Sequence, residues 1–170
     1  ANAIPIQLLI GAEDLFRGVI ALVRMKAIVW DNEAMGANYE VMDIPAEMLD
    51  EAEAAREVML EEISAVDEVL MEKYLGGEEL TVEEIKSGIR NATMALQINP
   101  VLCGTAFKNK GVQQLLDAVV DYLPSPVDVP SVEGVNNDGE TEVREASRKE
   151  KFCGLAFKLA TDPFVGNLTY

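Results

Sequence analysis

The chain has 170 residues, 49% of them hydrophobic, which is enough to bury a core in one domain or two small ones and sets disorder aside. Lys and Arg total 14 against 30 Asp and Glu, and the net charge of -16 argues against this stretch wrapping nucleic acid, whose phosphates need cations; a basic protein partner fits better. Histidine is absent, which removes the commonest general base, and the only cysteines, Cys103 and Cys153, have no Cys or His neighbours to suggest a disulfide framework or a zinc site.

Both cysteines read as reduced packing residues. No apolar run is long enough to span a bilayer, and no basic-then-apolar leader opens the chain, so the sequence reads as cytoplasmic with no membrane partner. Residues 4–30 are largely β-branched or apolar, broken at Gly11 and Gly18. They predict two strands, the second a long one over 19–30 with Arg24 and Lys26 on its wet face. Residues 31–38 predict a turn, and residues 39–44 a further short strand.

Pro45 suits the first turn of a helix, and Met48, Leu49, Ala52, Met59, Leu60, Ile63, Val66 and Leu70 follow at a spacing of three to four. One long amphipathic helix is predicted, stopping before Gly76 and Gly77. Thr81, with Glu84 three residues on, makes a capping box for a second helix that packs on the first, its buried stripe being Ile85, Ile89, Ala92 and Leu96. Residues 98–103 predict a short strand, with Pro100 tolerated only near its start. A helix follows with Val112, Leu115, Leu116, Val119, Val120 and Leu123 on one face, closed by Pro124, Ser125 and Pro126. Strand, loop and helix in that order are an α/β unit. Residues 127–151 turn polar, with a tight turn at Asn136–Gly139, and read as a linker; 152–160 and 166–170 are β-like segments flanking Asp162 and Pro163. No internal repeat is present.

Residues 103–111, Cys-Gly-Thr-Ala-Phe-Lys-Asn-Lys-Gly, closely resemble the guanine-base loop of translational GTPases. An apolar strand precedes them and an amphipathic helix follows. Then come Tyr122-Leu123-Pro124-Ser125-Pro126 and, from 162, Asp-Pro-Phe-Val-Gly-Asn-Leu-Thr, in the order of the elongation factor G family; residues 71–81, Met-Glu-Lys-Tyr-Leu-Gly-Gly-Glu-Glu-Leu-Thr, match as well. The resemblance covers essentially the whole chain. It implies an α/β fold formed by the C-terminal part of a P-loop GTPase domain with an inserted α+β subdomain, followed by a truncated β-barrel segment. Residues 1–97 would be the insertion with a flanking strand, 98–126 the last strand, guanine loop and helix of the GTPase domain, 127–151 a linker, and 152–170 the first strands of the barrel.

The same resemblance implies that the parent protein hydrolyses GTP, with magnesium, while moving transfer RNA and messenger RNA on the ribosome. Ala106 N–H would donate to the guanine carbonyl oxygen, and the Thr105 hydroxyl, in a place more often held by Ser, would orient an upstream Asp that reads the base. Phe107 would pack beside the base and Lys108 would flank it through its stem. The Gly-rich phosphate loop, the switch regions, the magnesium-contacting Asp and the Asn-Lys-x-Asp motif precede this stretch in the family, and none occurs in residues 1–170. Lys110-Gly111 reverses the order of a phosphate loop. This chain by itself is therefore expected neither to bind nor to hydrolyse GTP, and to need no cofactor. Glu61, Glu68 and Glu72 recur on what reads as one helix face, and the resemblance makes that face a contact for the ribosomal stalk protein, although Ala65 and Val69 interrupt the acidic stripe. The alternatives are a non-catalytic acidic interaction module, a ribosomal protection protein or a release factor GTPase.

Overall fold

The computed structural model describes residues 2–31 and 36–170, so residues 32–35 of the expected 31–38 turn lie outside the described residues. The first thirty residues form four strands rather than two: β1 Ala3–Pro5, β2 Gln7–Ile10, β3 Gly18–Ala21 and β4 Lys26–Trp30, with a three-residue 3-10 turn at Glu13–Leu15. β5, Tyr39–Met42, completes an antiparallel meander in the order β2-β3-β4-β5. The long strand expected over 19–30 is thus a hairpin, reversing at Leu22–Met25 without Gly or Asn. Met25 takes the positive φ of 49° itself. What holds the reversal is Arg56, whose guanidinium donates to the Leu22 carbonyl and, at 2.9 Å, to the Val23 carbonyl. Burial lowers the Arg56 pKa, and the nearby Glu79 opposes that shift.

Successive strand residues face opposite sides of a sheet, so the full burial of both Val19 and Ile20 means that β3 is covered on both faces. Ile20 joins the main core with Ile10, Leu22, Ala27 and the helices. Val19 joins a small second core with Phe16 and Trp30, against which Ile28 and Cys103 pack; the Phe16 and Trp30 rings stack at 6.4 Å.

The predicted long helix is two helices. α1 spans Leu49–Ser64 and α2 Glu68–Leu75, and the break falls at Asp67, whose Oδ1 accepts from the N–H groups of Val69 at 3.0 Å and Leu70 at 3.2 Å. A side-chain cap of this strength starts a new helix. α3, Val82–Met94, opens with the capping box read from the sequence: Glu84 N–H donates to Thr81 Oγ1 at 3.3 Å and Thr81 N–H to Glu84 Oε2 at 2.9 Å. Ile85, Ile89 and Ala92 are buried as expected and α3 packs on α1, but Leu96 lies beyond the helix end at φ 58° and is 89% exposed.

β6, Asn99–Val101, returns to pair in parallel with β1 in the register Ala3↔Asn99 and Pro5↔Val101. A 3-10 turn at Ala106–Lys108 and α4, Val112–Tyr122, follow, and α3 grips the end of α4. Lys86 pairs with Asp121 at 2.5 Å, and Arg90 donates to the carbonyls of Asp121 and Leu123.

Residues 124–170 form a separate compact unit. The expected linker contains an antiparallel hairpin, β7 Val132–Val135 with β8 Thr141–Arg144, whose turn is closed by Asn136 Oδ1 accepting from the N–H groups of Asp138 and Glu140. A second hairpin, β9 Leu159–Asp162 with β10 Gly166–Thr169, turns where Asp162 Oδ1 accepts from Phe164 and Val165. Regular strand begins only at Leu159 in the expected 152–160 segment, and Phe152, Cys153 and Phe164 are exposed, so Cys153 is not a packing residue. The chain is a mixed α/β fold of several sheets and four α-helices among the described residues, in agreement with the α/β class read from the sequence.

Glu84 supplies a pH test of the α3 start. Its hydrogen bond from Lys73, and then those from the Thr81 N–H and hydroxyl, lower its pKa from 4.5 to about 2. A depressed carboxylate contributes stability that is whole above its unfolded value and disappears as pH falls through the folded one. Unfolding followed by the single Trp30 should lose this contribution between pH 4.5 and about 2, and Glu84→Gln should flatten that part of the profile. Thr81→Ala should cost about 1 kcal/mol at neutral pH.

Candidate functional site

The turn singled out in the sequence is an exposed platform on a fixed base. The strand leading into it is tied to the meander: Ile6 N–H donates to the Val101 carbonyl at 3.0 Å, and Cys103 N–H donates to Gln7 Oε1 at 3.0 Å. Gln7 is only 6% exposed, and it stands as one polar side chain in the apolar run Ile4–Ile10. That misfit is a sequence signal for a buried hydrogen-bonding duty. Cys103 covers the second face of the sheet beside Phe16, Val19 and Trp30, and burial pushes its thiol pKa up, the opposite of what a nucleophile needs.

Beyond Cys103 the backbone closes on itself. Thr105 N–H donates to the Lys110 carbonyl at 2.9 Å and Lys110 N–H to the Thr105 carbonyl at 3.2 Å, a bridge that pinches residues 106–109 into a tight turn. Asn109 and Gly111 take positive φ of 52° and 92°, and a Cβ on Gly111 would sit 2.8 Å from the Cys103 carbonyl oxygen. Lys110, 3% exposed, is buried beneath the turn.

Thr105, Ala106, Phe107 and Lys108 are therefore consecutive on one surface feature. Thr105 is half-buried and its hydroxyl makes no capping bond to the turn. Ala106 N–H is the first donor of the turn, in the position where a helical turn supplies no internal acceptor. The Phe107 ring is 97% exposed, and Lys108 is exposed beside it. The arrangement offers a hydroxyl, an exposed first turn residue and an unpacked aromatic ring. That is a set suited to contacting a flat polar ligand.

Gly36, at the start of β5's approach, was legible only as part of a turn. It is buried under the platform: a Cβ there would lie 2.2 Å from the Asn109 carbonyl oxygen and 2.8 Å from that of Lys108, and its φ is 78°. Its own carbonyl accepts from Gln113 Nε2 of α4 at 2.9 Å.

Beside the platform, α4 buries only Ala118 and Tyr122, while Leu115, Leu116, Val119 and Val120 face solvent. The apolar stripe read from the sequence is present and uncovered among the described residues. The acidic candidates do not share one helix. Glu61 lies on α1, and Glu68 and Glu72, one turn apart, lie on α2 beyond the Asp67 break; all three are exposed. A cleft of about 190 Å³ between the meander and α4 is lined by Arg24, Lys26, Lys86, Asp117 and Asp121. Its charges are mixed, and burial, with Asp121, pushes Tyr122 up to about 12 against the pull of Arg24. Among the described residues there is neither a metal-binding cluster of His, Cys, Asp or Glu nor a helix long and apolar enough to cross a membrane.

No protein-family model matches the chain. Among solved structures, the crystal structure of a Thermus thermophilus protein is similar over 98% of this chain, with a TM-score of 0.71 and 25% sequence identity. The match takes up 22% of that protein, so the present chain spans about a fifth of the length of the solved relative, with which it shares its fold.

Proposed function

We propose that the chain is the guanine-reading corner and inserted subdomain of a translational GTPase of the elongation factor G kind, acting in ribosomal translocation. One observation carries this reading: the exposed 105–108 turn presents a bare aromatic ring on a strand–turn–helix unit, in the sequence that resembles the family's base loop. The uncovered apolar face of α4 adds support, because a patch of this kind on a water-soluble fold marks a surface that another element covers, as the remainder of a GTPase domain would.

The residues present fit the base. Ala106 N–H would donate to the guanine carbonyl, Phe107 would lie against the ring, Lys108 would flank it, and the Thr105 hydroxyl would orient the Asp that recognises the base's N–H groups. An amide donor distinguishes a carbonyl oxygen from an amino group, since adenine would leave that donor unpaired. GTP or GDP with magnesium would supply the phosphate chemistry, and the residues for it are not in this sequence: it contains no Gly-rich loop ending in Lys-Ser or Lys-Thr.

Ala106→Pro is a sharp test. Proline removes the N–H, its fixed φ suits the first position of a helical turn, and Thr105, at φ -128° and ψ 112°, already has the extended backbone that a residue before proline adopts. In the full-length protein the substitution should weaken GDP by about 1 to 3 kcal/mol and reduce the preference for GDP over ADP. Indifference of the unsubstituted full-length protein to guanine nucleotides in isothermal titration would overturn the assignment, whereas tight GDP binding by these 170 residues alone would overturn the expectation that they do not bind it by themselves.

The exposed carboxylates of α1 and α2 would meet the ribosomal stalk protein. Since Glu68 and Glu72 share a face of α2 and Glu61 sits across the break, reversing the charge of the α2 pair to Lys should weaken stalk binding and its salt dependence more than Glu61→Lys. Equal effects in a binding titration at two salt concentrations would count against a contact centred on α2.

A further inference from the structure

We infer that Gly36 and Gln113 are positioning residues for the base loop, through which the inserted subdomain sets the place where Ala106 N–H meets a nucleotide base. This role rests on the guanine reading of residues 105–108. The geometry is backbone against backbone. Gly36 is buried with its Cα against the carbonyls of Lys108 and Asn109, so closely that a Cβ would lie 2.8 and 2.2 Å from their oxygens. Real Cβ atoms do not approach that near, and φ of 78° disfavours any side chain at this point.

On its other side Gly36 is fastened by the 2.9 Å hydrogen bond from Gln113 Nε2, and Gln113 stands in the first turn of α4, directly after the loop. The peptide of Gly36 is thereby wedged between the end of the 106–108 turn and the start of the helix. Gly36 also belongs to the connection between β4 and β5, two strands of the meander. The meander holds the other end of the loop too, through Gln7 and Cys103. The loop therefore has two anchors, one before Thr105 and one beneath Asn109, and both belong to the inserted residues. Ala106, the nucleotide-facing donor, lies between them.

An amide that must meet a carbonyl oxygen within hydrogen-bond distance tolerates little displacement. Movement of the Gly36 anchor would therefore be felt as altered base affinity while the fold stays intact. The anchor takes no part in the contact with the base itself.

The test uses the full-length protein and three variants. Gly36→Ala introduces the collision, Gln113→Met keeps the side-chain length and removes the donor, and Gln113→Lys restores a donor. Two readouts are taken: GDP affinity by titration, and amide hydrogen exchange over residues 105–111 without nucleotide, with the unfolding temperature as the control for overall stability. Gly36→Ala should weaken GDP roughly tenfold or more, the scale expected of local backbone strain. Gln113→Met should weaken it severalfold and speed exchange at the loop with the unfolding temperature held, and Gln113→Lys should recover most of the loss. If Gly36→Ala does not fold, the Gln113 pair decides alone. GDP binding that is normal in the unsubstituted protein and equally normal in Gln113→Met overturns the anchor while leaving the base reading in place. Failure of the unsubstituted protein to bind GDP overturns both.

Discussion

The parallel pairing of β1 with β6 is the constraint on which the first unit depends. Residues 3–5 are set beside residues 99–101, and the Gln7–Cys103 bond joins positions 96 apart in sequence. A parallel pair has no tight turn to fix its register. Here the register comes from side chains: Ile4 and Ile98 enter the main core, while Gln7 receives the Cys103 N–H just past the strand. A slip by one residue would turn Ile4 outward and leave the Gln7 amide buried without its partner. The loop that follows β6 inherits its position from this arrangement.

The acidity of the chain gives its few cations structural work. Arg56 closes the β3–β4 hairpin from α1, Lys73 on α2 holds Glu84 at the start of α3, and Lys86 and Arg90 on α3 secure the last turn of α4. Each joins two different elements, and each is at least partly shielded from water, where such bonds count for more than on an open surface. The carboxylates outnumber them and populate the outer faces of α1 and α2. Four of the cations are thereby engaged in contacts between elements.

Much of the arrangement was legible in the sequence because it is local. The capping box at Thr81 and Glu84 is a spacing rule with a hydrogen-bond pattern behind it, and the strand, turn and helix around Thr105 follow from apolar periodicity and turn chemistry. What escaped was set by contacts across the chain. The hairpin at Leu22–Met25 carries none of the usual turn residues, because a guanidinium from α1 satisfies its carbonyls. Asp67 broke the long helix in a stretch whose apolar spacing ran on unaltered, so the periodicity concealed a capping residue. Leu96 fitted the spacing of α3 but fell two residues after the helix had ended at Met94. At the loop, the four consecutive residues were named from the sequence, whereas Gly36 and Gln7 were not, since their importance lies in what they touch some seventy to a hundred positions away.

The wide separation of β1 and β6 also has a consequence in time. A chain emerging from its N-terminus at about 5 to 20 residues per second must wait roughly 5 to 20 s after β1 appears before β6 exists to pair with it. During that interval β1 is an open edge, able to accept any neighbouring extended strand. Brevity guards it: β1 is three residues long and ends in Pro5, whose missing N–H offers a foreign strand nothing to accept. The nascent chain can thus hold β1 in reserve until β6 arrives.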